Sequence, residues 1–499
     1  MELRDILTKR PFTRILPSIP QNPPVVRSLD NAIYANTTSN TYYEIVYQSE
    51  FLQQESPSGH KINSEDYYPD KVKYDEKTEQ YYKEKVFRAS FPFQRIILTQ
   101  QLVHLCGNDI HTELTARHST DEDKSLLLRW RQGWIMRNLE LCFYELAKSV
   151  KKTGDGASVM YMNNGKVGWK ALSYAYGDTL YPHYDSITGE LQVFARQYNA
   201  YDENGGVTTS FVEVWDDRFL YTYKRGEVGI NGVINSIKGI FGLDGYTLVS
   251  KVPHGFTEVP VVYERDDSGP CWAGSQDSID KYELAVSHLC QNNMAYAFPI
   301  MLLKGDEIDI QADVYGAVKA ITMGKDDNAS YLEPMGNAEL FKLQLDTLLK
   351  NIFQGSFAVM APEVKSGDLP GVAIKLIYSP SIDKAMDDAK FYDKAIDKLV
   401  RLFSWGYGIE LGIPTRMKNL NVYAWIEPYV HQNQAELVNN LCMLVNSQLL
   451  SRDTGCQLSG YGENNEFDKI VREYKEIQAH DLLNDLGNNT SPYADTNAT

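Results

Sequence analysis

His111, His118, Asp121 and Asp123, in the stretch "HTELTARHSTDEDK", are of the types that hold metal ions, and on a helix the two imidazoles fall on one face. Carboxylates paired at Asp121 and Asp123, or at Asp266 and Asp267 in "ERDD", are the kind of group that does acid–base work or binds Mg²⁺. The plainer reading of the first stretch is a polar connector running into a helix start, and of the second a solvated turn. His-Glu-x-x-His and Gly-x-Ser-x-Gly are both absent. Gly165-Lys166 and Gly324-Lys325 lack the upstream glycine and the following Ser or Thr of a phosphate loop, and "TGDGASV" (153 to 159) has Val159 where a dinucleotide fingerprint needs its third glycine. The residues therefore point to no catalytic group, no metal and no cofactor. A hydrolase built on Asp121, Asp123, Asp266 or Asp267 stands as the enzymatic alternative.

Composition narrows the class further. The chain of 499 residues has a formal charge of −17, so as a whole it repels nucleic acid. Its best apolar runs are short, such as "FPIMLLK" (298 to 304), so no membrane partner is expected. The charged opening "MELRDILTKRPFTRILPSIP" has no apolar core of a secretory signal. Cysteines at 106, 142, 271, 290, 442 and 456 never form Cys-x-x-Cys and read as buried thiols.

The elements that must position any site follow from periodicity. Residues 1–90 read as an irregular Tyr- and Asn-rich arm with a short helix near its end. "FPFQRIILTQQLVHLCGND" reads as a helix stopped at Gly107, and "KSLLLRWRQGWIMRNLELCFYELAKSVKKTG" as one stopped at Gly154. From Val159 to Tyr263, aromatic and alternating runs separated by "NNG", "ENGG" and "GLDG" read as strands. Ser275 then caps a helix whose Ile279, Tyr282, Val286 and Leu289 recur at three- and four-residue steps, a packing seam that Pro299 ends. A short αβ insert follows, and a second helix capped by Asn337 returns.

Next comes the stretch "EVKSGDLPGVAIKL", pliable at Gly367, Pro370 and Gly371, and behind it a long amphipathic helix. Its apolar face reads Ile382, Ala385, Met386, Ala389, Tyr392, Ile396, Leu399 and Phe403. The opposite face, with Asp383, Lys384, Asp387, Asp388, Lys390, Asp393, Lys394, Asp397 and Lys398, reads as solvated i,i+4 pairs. Gly406 and Gly408 interrupt or kink that helix. Two more helices, "NQAELVNNLCMLVNSQLL" and "NNEFDKIVREYKEIQAHDLL", complete an α+β chain.

The order of these segments resembles the portal proteins of tailed double-stranded DNA bacteriophages, over about Phe91 to Ala479. "HGFTEVPVVYERDDSG" followed by "SQDSIDKYELAVSHLCQNNMAYAFPIMLLKG" is similar to the family's passage from β wing to stem helix. "KSGDLPGVAIKL" resembles its Ser-Gly-x-Ala-Leu segment with "DLPG" inserted, and "LVNNLCMLVNSQLLSRDTGCQL" with "EFDKIVREYKEIQ" its C-terminal helices. The resemblance implies an arm at 1–90, a wing at 91–274, and stem helices at 275–299 and 337–357 flanking a small α/β clip at 300–336. A tunnel loop follows at 358–376, then a long wing helix at 377–412 and a short helical crown at 413–499.

It also implies a non-enzymatic, dodecameric ring at a capsid vertex, assembled in the host cytoplasm. Double-stranded DNA would pass through it without sequence recognition. The terminase large subunit, the major capsid protein with a scaffold, and head-completion or tail adaptor proteins would be partners. Lys365, Ser366, Gly367, Asp368, Leu369, Pro370, Gly371 and Lys375 would then face DNA, Lys365 and Lys375 as phosphate contacts that Asp368 weakens. Asp306, Glu307, Asp309 and Asp313 would form a clip surface for a partner. Another ring-forming connector or tail adaptor is the nearest alternative.

Overall fold

The computed structural model describes residues 59–75, 78–115, 120–185, 187–201, 207–225, 246–296, 301–304, 309–312, 318–322, 328–331, 338–360, 371–430, 434–459 and 466–488. The chain divides into two units, Met1–Ala361 with Pro380–Tyr429, and Pro362–Ser379 with Val430–Thr499.

The first unit opens with a 3-10 turn at Lys61–Asn63 and an antiparallel hairpin, β1 (Lys71–Asp75) and β2 (Gln80–Glu84). The arm's described end is thus a hairpin, where a short helix was expected. Its alternating Lys and Tyr residues suit cross-strand pairing, with the Tyr74 and Tyr81 rings 5.0 Å apart and Lys73 2.8 Å from Glu84. Helix α1 (Phe93–Cys106) follows and stops at Gly107 as expected, but for a different reason. Gly107 has a right-handed φ of −78°, and a Cβ there would lie 2.7 Å from that of Tyr429, so close packing requires the glycine.

Strand β3 (His111–Leu114) leads to α2 (Asp121–Met136) and α3 (Leu139–Thr153), which replace the single helix read from the sequence. The break falls at Asn138, in the left-handed region at φ 52°, a conformation asparagine tolerates better than most residues. Gly154, at φ 87°, closes α3.

The β region has two antiparallel sheets. Strands β4 (Asp155–Asn163) and β5 (Lys166–Leu172) pair, and the five strands β6 (Thr179–Tyr184), β7 (Leu191–Tyr201), β8 (Val207–Trp215), β9 (Phe219–Arg225) and β10 (Tyr246–Pro253) form a meander. Strand β11 (Val261–Arg265) returns to the other side of β4. Phe194 and Trp215 of the meander meet Val159, Leu172, Val261 and Tyr263 of the smaller sheet in one apolar cluster. Tyr181, Tyr221, Tyr223 and Tyr263 are buried in the packing of these strands.

Helix α4 (Gln276–Tyr296) runs out to four short strands, β12 (Met301–Lys304), β13 (Asp309–Ala312), β14 (Val318–Thr322) and β15 (Asn328–Tyr331). Strand β12 pairs with β15 and β13 with β14, both antiparallel, so the insert's described residues are all β rather than α/β. Helix α5 (Ala338–Gly355) returns; Asn337 and Pro299 lie outside the described residues. Helix α6 (Gly371–Ile377) lies in the second unit, and the first unit resumes with the long helix α7 (Ser379–Glu410), α8 (Pro414–Lys418) and β16 (Val422–Trp425), which pairs with β3.

Helix α7 is the spine of the main core. Ala389, Tyr392, Ile396, Leu399 and Phe403 bury against Phe143, Trp130 and Trp134 of α3 and α2. Three readings of this helix need correction. Met386 is 54% exposed, off the buried stripe. Asp388, read as a surface charge, is buried, and burial pushes the Lys398 ammonium down to about 8. Gly406 and Gly408 do not interrupt the helix: they sit where it is crossed closely, a Cβ at Gly406 falling 2.8 Å from Val167 and one at Gly408 2.6 Å from the Pro414 backbone.

The second unit also holds α9 (Gln434–Asn446), α10 (Arg452–Ser459) and α11 (Glu466–Asn488), around a cavity of about 680 Å³ lined by apolar side chains such as Leu441, Val445, Phe467 and Ile470. Among the described residues no helix is long and apolar enough to cross a membrane.

Candidate functional site

Helices α4 and α5 meet at their base through small residues. Ser275 Oγ donates to the Ile352 carbonyl at 2.7 Å, and a Cβ on Gly355 would lie 2.9 Å from that same oxygen. Ser275 thus ties the two helices together rather than capping α4, which it enters through a 3-10 turn. Ile279 and Ile352 are fully buried here. Of the expected seam, Ile279 is core and Tyr282 packs edge-on against Phe91 and Phe93 at 5.5 Å, while Val286 and Leu289 are only half-buried. The face of α4 that is buried within the protomer is instead polar.

The chain leaving α5 is held tightly for four residues. Ala358 N–H donates to the Phe353 carbonyl at 3.0 Å and Phe357 N–H to that of Gln354 at 3.3 Å, a two-bond helix stop with Phe357 left-handed at φ 55°. The Gln100 side chain accepts from Val359 N–H at 2.9 Å and donates to its carbonyl at 3.1 Å, as a strand neighbour would. Gln101 donates to the Ser356 carbonyl and Ser381 Oγ to that of Phe357, each at 2.7 Å. Sequence reading missed Gln100 and Gln101, since glutamines inside an amphipathic helix carry no sign of what they bond.

Phe357 is 49% exposed, so its side chain gains little burial to offset a left-handed backbone. Phe357→Gly is expected to stabilise the protein by about 1 kcal/mol, read from thermal denaturation against wild type. A loss of stability would mean that the ring's contacts outweigh the strain.

Lys365, Ser366, Gly367, Asp368, Leu369 and Pro370 lie outside the described residues, as do Asp306, Glu307 and Asp313. Asp309 opens strand β13. Gly371 begins α6 and Lys375 is exposed on it, so the expected loop of 358–376 ends in a helix. The segment "GVAIKLI" is helical, whereas the loop reading followed from the family resemblance and from Gly367, Pro370 and Gly371.

The acidic residues weighed as catalytic have structural work. Asp123 accepts from Thr120 Oγ1 at 2.7 Å and from its N–H at 3.0 Å, while Thr120 Oγ1 accepts from Asp123 N–H, a reciprocal cap on α2. These bonds hold the Asp123 carboxyl below the usual range. Asp121 pairs with Lys124, Asp266 accepts from Ser268 N–H, and Asp267 pairs with Arg265. His111 Nε2 lies 2.8 Å from Glu427 and its ring stacks on Trp425; His118 lies outside the described residues. Among the described residues no group of three or more His, Cys, Asp or Glu is placed to hold a metal ion. Of the six cysteines read as buried, Cys142 is buried, Cys442 is exposed and the others are half-buried; burial pushes the Cys142 and Cys271 thiols up to about 12.

No curated protein matches the sequence. Among solved structures, the neck of an empty GTA particle computed with C6 symmetry aligns with 75% of this chain and 91% of its own at 11% identity, with a TM-score of 0.41. The family model for phage portal protein, SPP1 Gp6-like, matches residues 49–480, from the arm through both helices of the α4–α5 pair to α11. With that match spanning nearly every element described above, the chain belongs to the SPP1 Gp6-like family of phage portal proteins.

Proposed function

We propose that copies of this chain close into a dodecameric ring at one capsid vertex, a conduit through which double-stranded DNA is packaged and later ejected. The observation that carries this reading is the family match over 49–480, which spans α4, the strands β12 to β15, α5, α6 and α7 in that order. In the ring, α4 and α5 form the stem and the strands β12 to β15 the clip, on which the terminase large subunit docks during packaging. Head-completion or tail adaptor proteins replace it afterwards, while the wing meets the major capsid protein and a scaffold. The chain itself catalyses nothing, and the motor supplies the energy.

The segment after Met360 constricts the channel, its near end held by Gln100, Gln101 and Ser381. Lys365 and Lys375 touch phosphate and read no bases, which suits a conduit for any sequence. Head-to-tail contacts close such rings. The test is the solution mass of the purified chain, alone and with its shell protein, with negative-stain images of the same peak. Rings with an open centre are expected. A compact dimer under both conditions, with Mg²⁺-dependent hydrolysis, would overturn the reading.

A further inference from the structure

Helix α4 buries a row of polar side chains within its own protomer. Gln276, Asp280, Glu283 and Ser287 are all less than a tenth exposed, and Gln291 extends the row by one turn. Gln276 meets Gln94 of α1, and the described residues between Gly59 and Phe91 cover the rest. Phe91 N–H donates to Glu283 Oε1 at 2.8 Å, Ala89 N–H to Ser287 Oγ at 2.9 Å, and Phe87 N–H to Gln291 Oε1 at 3.1 Å. Acceptors four apart on a helix rise about 6 Å per step. Alternate residues of an extended chain advance about 6.7 Å, so the two repeats nearly match. The short serine sits in the middle and the longer Glu and Gln at the ends, where their reach absorbs the mismatch.

Charge and packing complete the fit. His60 Nδ1 lies 2.5 Å from the same Glu283 Oε1, both side chains buried, and Lys61 Nζ lies 3.6 Å from Asp280. Ile62, Tyr68 and Val86 form a small core against Leu284, and the Tyr68 ring meets His288 edge-on at 4.9 Å. What stays open on the α4–α5 pair is a groove of about 520 Å³, lined by Leu284, Ala285 and His288 of α4 and Leu340, Leu343 and Leu348 of α5.

We infer that residues 59–91 are a clasp that readies the stem for ring closure: they cover Asp280 and Glu283 and leave the largely apolar groove open to a second copy of this chain. The inference rests on the ring reading. With the clasp open, Asp280 and Glu283 are presented together on α4, beside Asp277, which is exposed whether or not the clasp is shut. A ring repeats that acidity around one axis, where like charges repel. With the clasp shut, Asp280 faces Lys61, Glu283 accepts from Phe91 N–H beside His60, and the groove stays open.

The test uses the full chain. Ser287→Val with Gln291→Leu removes two of the three acceptors and leaves the His60–Glu283 pair in place. A second variant, Ala89→Cys with Ser287→Cys in a Cys442→Ser background, staples the clasp on oxidation. Amide exchange at residues 87 and 89 in the first variant is expected to speed by about tenfold or more, with exchange around Tyr392 unchanged. Ring yield is expected to fall with it, and the stapled variant to form rings when oxidised but not when reduced. Rings at wild-type yield despite freed amides, or no difference between the oxidised and reduced staple, overturn the clasp. A wild-type chain that forms no rings overturns the ring reading itself, and the clasp's role with it.

Discussion

Asp388→Leu is expected to cost about 3–5 kcal/mol, because it strands a buried ammonium. Lys151 Nζ lies 2.5 Å from Asp388 Oδ2 and 2.9 Å from Gln101 Oε1, with the two charged side chains only 6% and 7% exposed. Take the carboxylate away and Lys151 keeps one neutral acceptor in a site it cannot leave. Lys384, which holds the other oxygen at 2.9 Å, has Asp387 nearby in solvent and is not trapped. Lys151→Met is therefore expected to cost less, about 1–3 kcal/mol, since Asp388 keeps Lys384. The double variant should recover most of the Asp388→Leu loss, because neither charge is then buried alone. Denaturant titration of monomeric protein measures all three. A cost under about 1 kcal/mol for Asp388→Leu would mean that Lys151 reaches water or another acceptor.

That pair also shows why sequence reading stops where it does. Asp388 and Lys384 stand four apart among many surface charges, so locally Asp388 looks like any solvated i,i+4 partner. Only Lys151, 237 residues away, makes it a buried group. The buried face of α4 was hidden in the same way. Its apolar residues recur at helical steps, but beyond Ile279 its buried residues are the polar Gln276, Asp280, Glu283 and Ser287, which leave no hydrophobic period to detect. By contrast the apolar stripe of α7, the strand runs from β4 to β11 and the left-handed stop at Gly154 were legible, since each rests on a local pattern, whereas the stop at Gly107 was read correctly but rests on packing against Tyr429. The α2–α3 break was not: Arg137-Asn138 interrupts a good helical sequence with one left-handed residue, and nothing in the residue types demands it. Of the candidate site, the order of elements was readable, and the side chains that hold the chain leaving α5 were not.

The main core gives the second large effect. Trp130 is fully buried, stacked on Trp134 at 4.9 Å and edge-on to Phe403 at 5.3 Å, and its Nε1 donates to Ser404 Oγ at 2.9 Å. Trp130→Ala is expected to cost about 3–5 kcal/mol through lost burial and the cavity left behind. Collapse cannot fill the space, because on the same two helices the Tyr407 ring already lies against Gly133, 2.6 Å from where a Cβ would be. Trp130→Phe should cost about 1–3 kcal/mol, keeping much of the packing but leaving the buried Ser404 hydroxyl without its indole donor. The gap between the two variants, measured by denaturant titration, separates packing from hydrogen bonding. A Trp130→Ala loss under about 1 kcal/mol would show that α2 is not docked on α7 in solution. It would also loosen the frame on which Ser381, at the start of α7, holds the Phe357 carbonyl and with it the chain leaving α5.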